Sequence, residues 1–255
     1  MTHLVTTLTN GVLHAVINRP ERKNALTSAI YQSMCDMLDA AAQDRATRVL
    51  LLSGAGGVFT AGNDLDDFVQ NPPQNLEASV FQFMLKLAAF PKPVVAAVEG
   101  LAIGIGTTML LHCDLIYAAQ DARFALPFVN LGLVPEAGSS LLLARAASHP
   151  RAAEKLLLGD VFNCQEAEAL GLLTRALPAA EVLATASAQA ARLARLPAGS
   201  VNGSKALMKR VDAETVQDHI RAEAQTFIAR VKGPALQEAV AAFKTKRKPD
   251  FTGMD

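Results

Sequence analysis

Short, wholly apolar runs alternate with longer stretches of helical periodicity through the first two thirds of this 255-residue chain. Residues 49–53, which are apolar except for the final Ser53, and residues 94–98 and 115–118 are runs of this kind, which is typical of strands buried on both faces. Between and after them, apolar residues three and four positions apart predict helices over residues 28–44, 77–90, 104–112, 139–147 and 151–158. From about residue 179 the strand pattern ends. The alternation predicts an α/β core followed by a helical C-terminal segment.

The N-terminus predicts a β-hairpin. Asn10-Gly11, a dipeptide that tolerates the positive φ angles of a tight turn, separates two strand-like runs at residues 4–8 and 12–17. No linker of low complexity marks a domain boundary. We therefore expect one core over residues 1–195 and a helical segment over residues 196–255.

Composition excludes several classes of function. The 24 basic and 24 acidic residues balance, and the chain has no Trp and two Tyr, which argues against binding of nucleic acid or acidic membranes. The three cysteines form no CxxC pair, which is typical of a reducing compartment. With neither a secretory signal pattern nor a charge-free run long enough to span a bilayer, the sequence predicts a soluble, cytoplasmic protein.

Residues 59–65 carry the first unusual motif, Phe-Thr-Ala-Gly-Asn-Asp-Leu, after a strand and a run of glycines. Such a loop can expose backbone N–H groups to a ligand. It can equally be a plain strand-to-helix turn in which Asp64 caps the helix.

Residues 99–108 carry the second motif, in which a glycine-rich strand end leads into a helix. Free N–H groups at such a junction suit a developing anion. The spacing does not match the G-x-G-x-x-G pattern of dinucleotide-binding proteins. Close packing of the helix against the strand is the alternative interpretation.

The third motif spans residues 124–138, where twelve largely apolar residues precede a single acid, Glu136. Glu136 is either a carboxylate in the first turn of the helix at residue 139 or a general base whose apolar surroundings raise its pKa. The five histidines lack metal-ligand spacing, and His112, on an apolar helix, is expected to be a core or interface residue. No G-x-S-x-G motif indicates a serine hydrolase.

Together with Asn-Arg-Pro-Glu-Arg-Lys-Asn-Ala-Leu at residues 18–26, the three motifs resemble the crotonase superfamily of enoyl-CoA hydratases and isomerases. The resemblance implies a spiral of β-β-α turns followed by C-terminal helices that mediate assembly as a homotrimer or a dimer of trimers. It also implies an acyl-CoA substrate, with coenzyme A entering as part of the thioester, and no metal or other cofactor.

The resemblance also assigns roles to residues. It implies that the N–H groups of Ala61 and Ile105 bind the thioester oxygen while an enolate forms. The two glutamates of the hydratases correspond here to Thr108 and Phe128, whereas Glu136 occupies the position of the catalytic glutamate in Δ3,Δ2-enoyl-CoA isomerases. The expected activity is therefore isomerisation by one carboxylate. The alternatives are an isomerase of ring-derived CoA thioesters, an enoyl-CoA hydratase and a catalytically silent binder of CoA thioesters.

The resemblance finally places the backbone of residues 23–26 and the loop of residues 61–65 beside the adenine and pantetheine of coenzyme A. The residues expected to contact the substrate are Lys23, Ala25, Leu26, Ala61, Gly62, Asn63, Asp64, Leu65, Ile105 and Phe128. The basic run at residues 244–248 is either a phosphate contact or a solvated helix end.

Overall fold

The computed structural model describes residues 3–254. The strands in this range are β1 (Leu4–Thr9), β2 (Val12–Ile17), β3 (Val49–Gly54), β4 (Val94–Val98), β5 (Leu101–Ile103), β6 (Leu115–Ala119), β7 (Arg123–Ala125), β8 (Phe162–Asn163) and β9 (Arg175–Leu177). The α-helices are α1 (Ser28–Gln43), α2 (Leu65–Gln70), α3 (Ser79–Ala89), α4 (Ile105–Thr108), α5 (Ser139–Ala147), α6 (His149–Ala153), α7 (Cys164–Ala169), α8 (Ala179–Arg195), α9 (Ala198–Lys209), α10 (Ala213–Val231) and α11 (Pro234–Lys244).

A six-stranded sheet in the order β1-β2-β3-β4-β6-β9 forms the centre of the fold. The predicted hairpin is confirmed, because β1 and β2 pair antiparallel and Asn10 and Gly11 have φ angles of 51° and 84°. From β2 onward, neighbouring strands of this sheet are parallel. Every residue of β4 is buried, which explains its continuous apolar sequence.

Helices cover the sheet and supply most of the remaining core. Helix α1 begins where the Thr27 hydroxyl accepts a hydrogen bond from the Ile30 N–H, and its apolar face includes Met34 and Leu38. It packs against α3, while α8 lies on β3, β4 and β6. Helix α8 ends at Arg195, and α9 begins at Ala198. In the described chain, no helix is long and apolar enough to cross a membrane.

A second, three-stranded sheet, β5-β7-β8, was not predicted. Its strands have two or three residues, too few for a periodic pattern to register. The sequence predicts a strand end that leads directly into a helix over residues 99–108, whereas in the structure β5 lies between β4 and α4. The succession β4-β5-α4 is a β-β-α turn of the kind that the resemblance implies, and the α/β fold with C-terminal helices is confirmed.

Helices α9, α10 and α11 form the C-terminal segment. Helix α10 packs against α3 and α5, and α11 packs against a 3-10 helix at residues 129–131. Phe227 of α10 makes edge-to-face contacts with Phe68 and Phe81 of the core. The contact of α11 with residues 129–131 places the C-terminal segment against the third motif.

Candidate active site

A cavity of about 660 Å³ lies between the motif segments and the C-terminal helices. The loop of residues 61–66 and residues 103–105 form one side, and residues between 127 and 133 form another. The C-terminal helices close it with Phe227, Val240 and Phe243. Its volume lies within the usual range for small-molecule sites, and its walls are predominantly apolar.

The loop of residues 61–66 presents one backbone donor to this cavity. Leu26 N–H donates to the Gly62 carbonyl and Asp64 N–H donates to the Leu26 carbonyl, at 2.8 Å each. Since alternate residues of an extended segment direct their N–H groups to opposite sides, Asn63 N–H faces away from Leu26. It has no hydrogen-bond acceptor among the described residues.

This geometry corrects the assignment of Ala61 as an oxyanion donor. Ala61 N–H donates to the Lys23 carbonyl at 3.0 Å and is not free to bind a thioester oxygen. Ala61 still lines the cavity, but the free donor of the loop is two residues further along, at Asn63.

The second donor is Ile105 N–H, at the first residue of α4. Thr107 and Thr108 N–H both donate to the Gly104 carbonyl, whereas Ile105 N–H has no acceptor in the described chain. Gly104 has φ 55° and ψ −118°, a backbone conformation open essentially to glycine alone. This turn lets β5 end and α4 begin with Ile105 on the cavity wall.

The two donor segments approach each other closely because Gly62 has no side chain. A Cβ at Gly62, whose φ is 86°, would lie 2.6 Å from the Ile103 carbonyl oxygen. Ile103 in turn donates its N–H to the Thr60 carbonyl, which ties β5 to the first motif. The glycines in both motifs thus bring two backbone N–H groups to one cavity.

The side chains of the first motif hold the loop. Asn63 Oδ1 accepts a hydrogen bond from the buried Tyr31 hydroxyl. The Asp64 carboxylate caps α2 by accepting from the Asp66 and Asp67 N–H groups, and it pairs with Arg19 at 2.6 Å. Burial alone would raise the pKa of Asp64, but the Asp67 N–H and the Arg19 guanidinium outweigh it and hold that pKa below its usual value. An ionised, fully engaged Asp64 is a poor candidate for a base.

Glu136 is the acid with the most unusual environment at the site. It is 1% exposed, its Oε1 lies 3.4 Å from the Thr108 hydroxyl, and its Oε2 has no hydrogen-bond partner among residues 3–254. Burial, followed by the negative charge of Glu223, raises its pKa from 4.5 to about 8, and the Thr108 hydroxyl opposes this. Helix α4 thus has the free N–H of Ile105 at its first residue and contacts Glu136 through Thr108, its last residue.

Glu136 does not cap the helix that follows it, which excludes the first-turn interpretation. Helix α5 begins three residues later, at Ser139, and the acid that binds its N-terminal N–H groups is Glu223 of α10. His112 is a buried core residue as expected, and its Nε2 lies 2.7 Å from the Ala137 carbonyl oxygen. Burial lowers the pKa of His112 to about 4, so the neutral ring donates this hydrogen bond.

Most of the expected substrate contacts lie on the cavity wall. Of the residues expected to contact the substrate, those that line the cavity are Ala25, Ala61, Gly62, Asn63, Asp64, Leu65, Ile105 and Phe128. In the described chain, Lys23, Leu26 and Glu136 do not line it: Lys23 and Leu26 use backbone groups to hold the loop, and Glu136 is buried. Of the C-terminal basic run, Lys244 lines the cavity, whereas Arg247 pairs with Glu238.

Sequence reasoning missed the residues that reach the site from far along the chain. Phe227, Val240 and Phe243 lie on amphipathic helices, where an apolar residue signals burial but not its partner. Arg22 lies within the segment that carries the resemblance, and nothing in its spacing indicated a place on the cavity wall. Among the described residues, no cluster of His, Cys, Asp or Glu is arranged to hold a metal ion.

A family model described as enoyl-CoA hydratase/isomerase matches residues 7–254. The chain belongs to this family. The 2,3-dehydroadipyl-CoA hydratase and the 1,2-epoxyphenylacetyl-CoA isomerase of Escherichia coli K12 are each 32% identical over 99% of this chain, covering 100% and 99% of their own lengths. A crystal structure of an enoyl-CoA hydratase/isomerase from Pseudoalteromonas atlantica superposes with a TM-score of 0.94 at 41% identity, over 98% of this chain and all of that one.

Membership of the enoyl-CoA hydratase/isomerase family makes this chain an enzyme of CoA thioesters. Rat enoyl-CoA delta isomerase 2 is also similar, at 33% identity over 96% of this chain and 64% of its own length. Hydratases and isomerases are thus similar to this family member to nearly the same degree. The choice between reactions depends on the side chains of its own site.

Proposed function

We propose that this protein is a Δ3,Δ2-enoyl-CoA isomerase in which Glu136 carries the proton. The carboxylate removes a proton from the α-carbon of a 3-enoyl thioester, the C–H electron pair forms a double bond to the thioester carbon, and the carbonyl π pair moves onto the thioester oxygen to give a dienolate. As the oxygen pair returns to re-form the carbonyl group, the double bond shifts to the α- and β-carbons and the γ-carbon takes up a proton. The same carboxyl group returns this proton, which leaves a 2-enoyl thioester. The observation that carries the proposal is the buried Glu136, whose Oε2 has no partner in the described part of the chain and whose pKa is raised to about 8.

The negative charge that forms on the thioester oxygen needs fixed donors. The free N–H groups of Asn63 and Ile105 line one cavity and are the donors that we assign to it. A preorganised donor of this kind contributes about 3–4 kcal/mol to the stability of the transition state. This role requires only the backbone, so an isoleucine side chain at residue 105 is compatible with it.

The residues at the two hydratase positions support a proton shift rather than hydration. Thr108 is a neutral hydroxyl, and Phe128 is a hydrocarbon ring that is 4% exposed. Neither can deprotonate a water beside the β-carbon of the substrate. The ring also excludes water, which favours return of the proton over competing reactions.

The cavity suits an apolar acyl chain attached to an anionic carrier. Leu131, Phe227 and Val240 contribute apolar side chains to its wall, while Arg22 and Lys244 are basic residues that line it and face the phosphates of coenzyme A in this proposal. Because Glu136 is nearly sealed from solvent, entry of the acyl group opens the wall locally to bring the α-carbon to the carboxylate. The proposed reaction requires no metal or redox cofactor.

Isomerisation of a ring-derived CoA thioester is the second candidate. It is supported by the full-length similarity to 1,2-epoxyphenylacetyl-CoA isomerase and by the apolar, aromatic cavity wall. The single acid Glu136 would serve a proton transfer in that reaction too. A silent CoA-thioester binder is less well supported, because it has no use for a buried carboxyl group with a free oxygen.

The proposal includes a homotrimer, or a pair of trimers, in the cytoplasm. Leu207, Met208 and Val211 are mostly exposed where α9 meets α10, and an assembly of copies would cover them. Light scattering during size-exclusion chromatography measures the assembly. A monomer at micromolar concentration would contradict this part of the proposal.

The activity is tested by incubating the purified protein separately with a 3-enoyl-CoA and with crotonyl-CoA, and by following the products of each. We expect isomerisation of the first and hydration of the second that is slower by orders of magnitude. A ring-containing CoA thioester in a third reaction tests the second candidate. Efficient hydration with little isomerisation would overturn the assignment and leave the family unchanged.

A further inference from the structure

The turn that carries Glu136 is held from two sides through a single peptide group. The carbonyl of the Ala137–Gly138 peptide accepts a hydrogen bond from His112 at 2.7 Å. The N–H of the same peptide donates to Glu223 Oε2 at 2.6 Å. His112 belongs to the core and Glu223 to α10, so the core and the C-terminal segment clamp one peptide directly after Glu136.

Glu223 is fully engaged at the start of α5. Its Oε1 accepts from the Ser140 N–H at 3.0 Å and from the Ser140 hydroxyl at 2.5 Å. His219, one turn earlier on α10, lies 2.8 Å from the same hydroxyl. The Glu223 side chain is 8% exposed and does not line the cavity in the described chain.

We propose that Glu223 is a positioning residue, which holds Glu136 in its reactive geometry by clamping the Ala137–Gly138 peptide from the C-terminal helices. This inference rests on the proposed proton transfer by Glu136. It assigns the C-terminal segment a second task besides closing the cavity, namely fixing the base of the reaction.

The backbone of the turn explains why a clamp is needed. Ala137 has a φ of 58° and Gly138 a φ of 73°. Alanine adopts this left-handed region only at a steric cost, so the turn relaxes to another conformation unless its surroundings hold it. Relaxation would move the Glu136 side chain, and a displacement of about 1 Å from a reactive geometry costs on the order of 100-fold in rate.

Electrostatics couples the two acids as well. The groups that face Glu136 are Glu223 from α10 and Tyr31 from α1, besides the Thr108 hydroxyl. His219 is the basic group beside Glu223, and the buried His112 is neutral. The negative charge of Glu223 raises the pKa of Glu136, so removal of that charge lowers it. If Glu223 only capped α5, its substitution would not be expected to lower turnover together with the pKa of Glu136.

The test compares wild-type protein with Glu223→Gln, which keeps the size of the side chain but loses its charge and one acceptor. Asp218→Asn is the control, because Asp218 is an exposed acid on the same helix. The readouts are kcat and KM for a 3-enoyl-CoA from pH 5 to pH 10. The carboxyl ¹³C signal of Glu136, assigned with Glu136→Gln, is titrated without substrate.

For Glu223→Gln we expect the plateau kcat at high pH to fall about 10- to 100-fold, with KM within about twofold. The pKa of Glu136 shifts downward in the titration and in the rate profile. Asp218→Asn stays within about twofold throughout. Ser140→Ala removes the hydroxyl that contacts Glu223 and His219 and keeps the Glu223 charge. It lowers kcat by a smaller factor without moving the pKa of Glu136, and it replaces Glu223→Gln if that variant does not fold.

A folded Glu223→Gln variant with unchanged plateau kcat overturns the inference, as does a loss of kcat that Asp218→Asn shares. If the wild-type protein fails to isomerise, the proposed function is wrong. The titration of Glu136 still reports whether Glu223 is coupled to it, so the two failures are distinguishable.

Discussion

Replacement of Glu136 by Gln is expected to abolish turnover and to stabilise the fold at alkaline pH. The pKa of Glu136 is raised from 4.5 to about 8, chiefly by burial. Between these two values the native state retains a proton that the unfolded state releases. Stability of the wild-type protein therefore falls as the pH rises through this window.

The size of this effect follows from the pKa difference. At about 1.4 kcal/mol for each unit of pKa, keeping this carboxyl group buried costs the fold roughly 5 kcal/mol at a pH above both values. Glutamine has nearly the same shape and does not ionise. The difference in unfolding free energy between Glu136→Gln and wild type should therefore grow in favour of the variant by roughly 3–4 kcal/mol from pH 5 to pH 8.

Urea unfolding at a series of pH values measures this difference, because a changed midpoint with an unchanged slope reports stability alone. The same preparations should lose isomerase turnover by a factor of about 100 to 10,000, with thioester affinity retained. Parallel stability curves for variant and wild type would show that Glu136 has an ordinary pKa. Retained turnover would show that it is not the base.

Substitutions at three further positions test the remaining parts of the site. Ile105→Pro removes the N–H donor and should abolish turnover, whereas Ile105→Ala keeps the donor and should retain most of it; equal losses in folded variants would contradict a backbone role. Tyr31→Phe leaves Asn63 Oδ1 without its hydrogen-bond donor, so it should lower the unfolding free energy by about 1–3 kcal/mol and kcat several-fold. Urea unfolding measures the first effect. If neither quantity changes, Tyr31 does not hold the loop. Gly62→Ala places a Cβ 2.6 Å from the Ile103 carbonyl oxygen, so it should reduce both stability and kcat. Stability and kcat equal to those of the wild-type protein would contradict the close approach of the two donor segments.

The elements that the sequence predicted well are those with strong local determinants. The hairpin follows from Asn10-Gly11, and α1 follows from its periodic apolar face and the Thr27 cap. Strands β5, β7 and β8 have no such signal, because their pairing depends on partners that the chain reaches only in three dimensions. The second sheet therefore could not be predicted from local pattern.

The candidate site also has parts that the sequence predicts and parts that it does not. Motif order brought the correct loops together, and seven of the expected contacts besides Ala61 line the cavity. Which N–H in the first loop is free could not be predicted, because Ala61 and Asn63 differ only in the partner that each backbone group finds. Lys23 was expected to contact the substrate, and its carbonyl instead accepts the Ala61 N–H.

The first-turn interpretation of Glu136 was reasonable for the same reason. An acid shortly before a helix is normally drawn to its free N–H groups, and sequence alone offers no competitor within reach. Here the competitor is Glu223, 85 residues away from Gly138, whose carboxylate already binds the N–H groups at the start of α5. Because those donors are occupied, Glu136 keeps one oxygen unpartnered, and burial beside a second acid raises its pKa. In our proposal, Glu136 is available for proton transfer because Glu223 of α10, and not Glu136, caps α5.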